Sequence, residues 1–107
     1  MAQRKKQTTT PNAVDYLERA ADEMADRAAS RDKPDGERSM ATAVQAFWTI
    51  YGQAIIDRGH MTETEGWEFM SLLKKVRGSQ GEYREDDYTD DVAYAALAAE
   101  SAGKAQG

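Results

Sequence analysis

No stretch of this chain alternates apolar and polar residues with the period of two that a half-buried strand requires. Apolar side chains recur instead three and four positions apart, in segments opened by helix-capping residues and closed by glycine-rich turns. That single feature points to an all-α fold, and the segments number four. The length of 107 residues fits one domain, and no internal repeat divides it. The expected architecture is a four-helix, single-domain bundle over residues 10–102, between a basic arm (1–9) and a flexible tail (103–107).

Thr10 is placed to cap a first helix that starts at Pro11, where a missing N–H costs nothing. Val14, Leu17, Ala21, Met24 and Ala28 form one narrow stripe on it, backed by charged residues. Such a helix belongs on the outside of the bundle or against a second subunit. Lys33-Pro34-Asp35-Gly36 fits a type I turn. After it, Ser39 can cap a second helix carrying Met40, Val44, Phe47, Trp48, Ile50, Tyr51 and Ile55. This stretch is apolar over more than one face and is expected to be the most buried element. Gly52 within it marks a kink or a close helix contact. Asp57-Arg58-Gly59-His60 reads as the following loop.

Thr62 and Glu65 stand three apart before an apolar run, the spacing of a capping box. The third helix they open carries Trp67, Phe69, Met70, Leu72, Leu73 and Val76, and ends at Gly78-Ser79-Gln80-Gly81. A fourth is expected from Tyr88 to about Ser101, with a body of small residues (Ala93, Ala95, Ala96, Ala98, Ala99) that permits close packing.

Charge is distributed unevenly. Residues 1–60, 61–81 and 92–107 are each balanced, so the net charge of −5 falls in Glu82–Asp91, with six acids and one base. These acids lie at or before the start of the fourth helix, where the macrodipole favours them by about 0.3–1 kcal/mol each. The balance also excludes classes of function. A pI of about 4.8 leaves no basic footprint for general nucleic-acid binding. The absence of cysteine excludes a disulfide framework, a thiolate zinc site and a cysteine nucleophile, and it fits a reducing cytoplasm. No apolar run has the length of a membrane span, and the basic N-terminus continues into Thr8-Thr9-Thr10 rather than an apolar signal segment. Forty per cent apolar residues can build a core, but at this size a marginal one, so self-association into a homo-oligomer is expected.

Candidate chemistry is sparse. His60 is the one histidine and lies in a loop, and no phosphate-loop, dinucleotide or zinc-protease motif is present. Glu65 and Glu68 share a face of the third helix, and Asp87 and Asp90 stand three apart on the fourth. Two facing carboxylate pairs supply the hard oxygen ligands that Mg²⁺ takes in nucleotide chemistry. The same residues also have plain local uses, as a capping-box glutamate and as acids at a helix start. Lys74 and Arg77 share a face near the third helix's C-terminus. If the last two helices run antiparallel, Lys74 meets Asp90 in an ion pair, or both cations meet a phosphate. Tyr94 follows Asp90 by one turn on the same face.

Three runs carry a resemblance: Arg27–Met40 (RAASRDKPDGERSM), Thr62–Arg77 (TETEGWEFMSLLKKVR) and Asp87–Glu100 (DYTDDVAYAALAAE). Together they resemble a family of small uncharacterised helical proteins of tailed phages and prophages. That family is distantly similar to the all-α MazG-like nucleotide pyrophosphohydrolases, through a K-x-x-R helix followed by a D-x-x-x-Y helix. The resemblance implies a phage-encoded, oligomeric protein of the host cytoplasm that binds a nucleotide or nucleotide-derived signal at Lys74, Arg77, Asp90 and Tyr94. As an enzyme it would be a Mg²⁺-dependent nucleotide pyrophosphohydrolase with Glu65, Glu68, Asp87 and Asp90 on the metal. The sequence departs from the enzymes' pattern, with Asp87-x-x-Asp90 where they carry Glu-x-x-Asp. Two alternatives stand beside this reading. One is an anti-defence or host-takeover protein that sequesters an immune nucleotide or binds a host protein. The other is a structural accessory protein without a ligand.

Overall fold

The computed structural model describes residues 10–30 and 39–107 and, within the first of these stretches, side chains up to Asp26. The basic arm, the Lys33-Pro34-Asp35-Gly36 turn and the side chain of Ala28 lie outside the described residues. The fold is all-α, with α1 (Ala13–Ser30), α2 (Ser39–Arg58), α3 (Glu63–Gly78) and α4 (Glu85–Gln106).

Each helix end has a local cause. α1 begins at Ala13 rather than Pro11, because Asn12 and Asp15 cap each other: Asn12 Oδ1 accepts from the Asp15 N–H and Asp15 Oδ2 from the Asn12 N–H, both at 2.9 Å. α2 extends through Asp57 and Arg58, read from sequence as loop, and stops at Gly59. That residue adopts φ +92° while its N–H bonds the Ile55 carbonyl at 2.7 Å. The capping box of α3 is complete. Thr62 Oγ1 accepts from the Glu65 N–H at 3.2 Å, and Glu65 Oε1 accepts from the Thr62 N–H at 2.9 Å. The Ser79 hydroxyl closes the other end on the Val76 carbonyl at 2.7 Å.

α4 starts three residues before Tyr88 and runs on to Gln106, past the end expected near Ser101 and through most of the expected tail. Alanine, lysine and glutamine are strong helix formers, and one interior glycine, Gly103, costs only about 1 kcal/mol. Five of the six acids of Glu82–Asp91 therefore sit inside the first two turns, with only Glu82 before the helix.

α3 is the middle helix, with α2 on one side and α4 on the other, each antiparallel to it. Against α2, Phe47 meets the ring of Phe69 edge-on at 5.6 Å. The Tyr51 hydroxyl donates to Glu68 at 3.0 Å, and the Ser39 hydroxyl donates to Gln80 at 2.8 Å. Against α4, Trp67 stacks on Tyr94 with ring centres 6.0 Å apart, and the hydroxyls of Thr64 and Ser101 lie 2.7 Å apart. The small residues of α4 allow this approach, and Ala98 is buried.

The expectation for α2 is corrected. It is not the most buried element, because α3 covers only one of its faces. Ser39, Ala43 and Phe47 are buried there, while Met40, Val44, Trp48, Ile50 and Ile56 stay exposed, Ile50 at 60% and Ile56 at 66%. At Gly52 the nearest neighbour is a side chain of its own helix, not a second helix. The indole of Trp48 lies along the helix over it, where any Cβ would clash with the ring. α1 goes further: among the described residues it packs against none of the other helices, and Val14, Leu17 and Met24 face solvent.

Candidate functional site

Of the residues singled out from sequence, Lys74, Asp90 and Tyr94 meet partners along the α3–α4 seam, whereas Glu65 and Glu68 turn towards α2, and the seam brings opposite charges together. Lys74 Nζ lies 3.0 Å from Asp90 Oδ2. One position along, Lys75 Nζ bonds both oxygens of Asp91, at 2.8 and 2.7 Å. The Ser71 hydroxyl also donates to Asp91 and accepts from Lys75 Nζ at 3.1 Å. Burial pushes the Asp91 carboxyl up, but the bonds from Lys75 and Ser71 outweigh it and hold the group below its ordinary range. Lys74 and Lys75 are thus each matched by a carboxylate from the first turns of α4.

Tyr94 is occupied by its stack on Trp67. Arg77 is half-buried in the last turn of α3, and Asp87, at 3% exposure, is buried in the first turn of α4. The seam therefore collects Lys74, Arg77, Asp90 and Tyr94 on one pair of helices, with Lys74 and Asp90 neutralising each other.

Three of the four carboxylates considered for Mg²⁺ are engaged separately. Glu65 lies at the other end of α3, where Arg58 Nη1 and Nη2 donate to its two oxygens at 2.8 Å each. The Arg58 bonds, helped by the Thr62 cap and opposed by burial, hold Glu65 down to about 2 from the usual 4.5. Glu68 accepts from Tyr51, and burial together with that carboxylate pushes the Tyr51 hydroxyl up. Asp90 belongs to Lys74. No group of three or more His, Asp or Glu side chains with metal-holding geometry occurs among the described residues.

Sequence reasoning missed three participants. Arg58 was read as loop, although it is the base that clamps Glu65 and ties the end of α2 to the start of α3. Lys75 and Ser71 are not among the residues that sequence spacing singles out, yet they hold Asp91. Along the antiparallel seam the spacing of partners shortens from 37 at Thr64–Ser101 through 20 at Ser71–Asp91 to 16 at Lys74–Asp90, so once Lys74 is set against Asp90 the neighbouring Asp91 falls within reach of Ser71 and Lys75.

One depression opens on α3, with a volume of about 270 Å³, lined by Glu63, Gly66, Trp67 and Met70. Its walls are the indole of Trp67, the thioether of Met70 and the bare backbone of Gly66. Its one charge is the Glu63 carboxylate, which accepts from Trp67 Nε1 at 3.0 Å. An apolar hollow with an acidic rim suits an apolar side chain better than a phosphate.

No family model, no curated protein and no solved structure matches this chain.

Proposed function

We propose that this protein works by binding other protein chains, with α3 and α4 as a rigid support and the outer surfaces of α1 and α2 as the binding surface. The observation that carries this reading is the contrast in what each part leaves unsatisfied. On the α3–α4 seam, Lys74 and Lys75 hold carboxylates of the same chain, so a phosphate would have to displace Asp90 and Asp91. On α1 and α2, nine large apolar side chains stand in water, against Tyr88, Val92 and Leu97 on α4 and none on α3, and exposed patches of that kind mark interaction sites.

The reading is tested by thermal shift with a panel of nucleoside mono-, di- and triphosphates and cyclic nucleotides, each with and without Mg²⁺. The expected result is an unchanged melting temperature throughout. A ligand at 100 times its dissociation constant adds about 2.7 kcal/mol, which a chain of this size shows as a rise of several degrees. Such a rise, abolished by Lys74→Ala and Arg77→Ala, would overturn the reading and make Lys74, Arg77, Asp90 and Tyr94 a nucleotide site.

A further inference from the structure

We propose that the hollow on α3 is a docking site for an arginine side chain of a partner protein, its guanidinium set between the Trp67 indole and the Glu63 carboxylate. The hollow lies on α3, apart from the apolar surfaces of α1 and α2, so its test is independent of theirs.

Glu63, Gly66, Trp67 and Met70 follow one another at steps of three, one and three, and so share one side of α3. α2 meets the opposite side, through Glu65, Glu68 and Phe69. The indole is fixed before anything binds. Its Nε1–H donates to Glu63 Oε2 at 3.0 Å, and its ring stacks on Tyr94 at 6.0 Å with the planes 19° apart. Tryptophan is the aromatic side chain that attracts a cation most strongly, and a ring already held in place loses little freedom on binding one.

The charge at the rim selects a cation. α3 carries three carboxylates, of which Glu65 is clamped by Arg58 and Glu68 accepts from the Tyr51 hydroxyl. Glu63 differs from both. It is exposed, its Oε2 accepts from a neutral indole, and no Lys or Arg among the described residues pairs with it. A full negative charge thus stands at the mouth of an apolar hollow.

Gly66 points the same way independently. An interior glycine weakens a helix, and this one serves neither the backbone nor the packing of its own chain. Its φ is not positive, and a Cβ added to it would meet no atom within 4 Å. What the missing side chain leaves is space, and that space is the floor of the hollow.

Size and shape fit one long side chain. The volume of about 270 Å³ falls just under the range of about 300–1,000 Å³ typical of small-molecule sites. The methylenes of an arginine can lie on Gly66 and against Met70, whose flexible thioether adapts to them. The planar guanidinium then stacks on the indole and donates to the Glu63 carboxylate. A leucine would fill the walls and leave the carboxylate unmatched.

The test is a titration with the blocked tripeptide acetyl-Gly-Arg-Gly-amide, read at the Trp67 indole N–H by NMR and assigned by comparison with Trp48→Phe. The resonance should shift and saturate in the millimolar range, as befits a single side chain. The citrulline tripeptide, which keeps the shape without the charge, and the leucine tripeptide should each bind at least about fivefold more weakly. Glu63→Gln keeps an acceptor for the indole and removes the charge, and should weaken arginine binding by about fivefold. Gly66→Leu fills the floor, and should abolish the shift while raising the melting temperature. No saturable shift at tens of millimolar arginine tripeptide would overturn the proposal. So would equal binding of the citrulline or leucine tripeptide, or an unchanged affinity in Glu63→Gln. Gly66→Leu that binds as the unaltered chain does would overturn it as well, and Glu63→Gln decides alone if Gly66→Leu fails to fold.

Discussion

The two halves of this molecule are built from helices of similar length, and they are held in opposite ways. α3 and α4 are tied at intervals along their contact, by Thr64 and Ser101, Trp67 and Tyr94, Ser71 with Lys75 and Asp91, and Lys74 with Asp90. α1 makes no such tie among the described residues, and α2 makes them only on its α3 side. The difference follows from composition. The acids of Glu82–Asp91 enter α4 just where the basic end of α3 arrives, so charge fixes the register of that pair. α2 has no charged side chain from Ser39 to Ile56, so its outer face can be matched only by shape and apolar area. A charged seam can be completed inside one short chain, whereas an uncharged apolar face asks for another helix.

The comparison breaks most sharply at the one side chain on which the α2–α3 contact converges. Phe47 is 3% exposed and touches the rings of Tyr51, Trp48 and Phe69. Phe47→Ala should cost about 3–4 kcal/mol in urea unfolding followed by circular dichroism. A loss below about 1 kcal/mol would mean that α2 is held by its outer face and not by α3.

Next in size is the clamp between Arg58 and Glu65. A carboxyl at about 2 in the folded chain and near 4.5 unfolded stabilises the fold fully above pH 4.5. That contribution is lost as the pH falls from about 4.5 towards 2. It amounts to about 2–3 kcal/mol after allowance for the partly solvated Arg58. Glu65→Gln should flatten this acid limb of the stability curve, with Asp91 left to supply the remaining slope in the same direction. An unchanged limb would show that Glu65 is not the titrating group.

The charged seam itself should respond weakly and unevenly. Lys74 and Asp90 are both partly exposed, and Lys74→Ala should cost no more than about 1 kcal/mol, falling further at high salt. Ser71 is buried beneath Asp91, and Ser71→Ala should cost about 1–2 kcal/mol with little dependence on salt. A larger and salt-sensitive loss at Lys74 than at Ser71 would reverse the assignment of which contact sets the register.

These tests also show where the sequence was readable. Helix number and the Thr62–Glu65 box were legible because both rest on spacing within one segment. Lys74 beside Asp90 was legible once the last two helices were taken as antiparallel, since one register then fixes the contact. Arg58 was not legible, because its partner lies across a turn whose geometry depends on Gly59 at φ +92°. The burial of α2 was misjudged for a related reason. An apolar arc shows that a face wants cover, but not whether the cover lies in the same chain. Of the proposed site, the residues that meet were legible, and what they hold was not, because an ion pair and a phosphate clamp use the same lysine.

The smallest expected effect is the one that separates the halves most cleanly. Leu17 is 69% exposed and, among the described residues, its helix packs against no other helix. For a dilute monomer, Leu17→Ser should change unfolding stability by less than about 0.5 kcal/mol, the range of ordinary surface substitutions. At high concentration, if α1 covers a partner's α2, the same substitution should lower stability by about 2 kcal/mol, because the buried leucine surface is then lost. Unfolding curves at two protein concentrations a hundredfold apart therefore decide the matter. A cost at both concentrations alike would place α1 on its own chain. No cost at either would leave α1 without a helix partner and confine the fold to α2, α3 and α4.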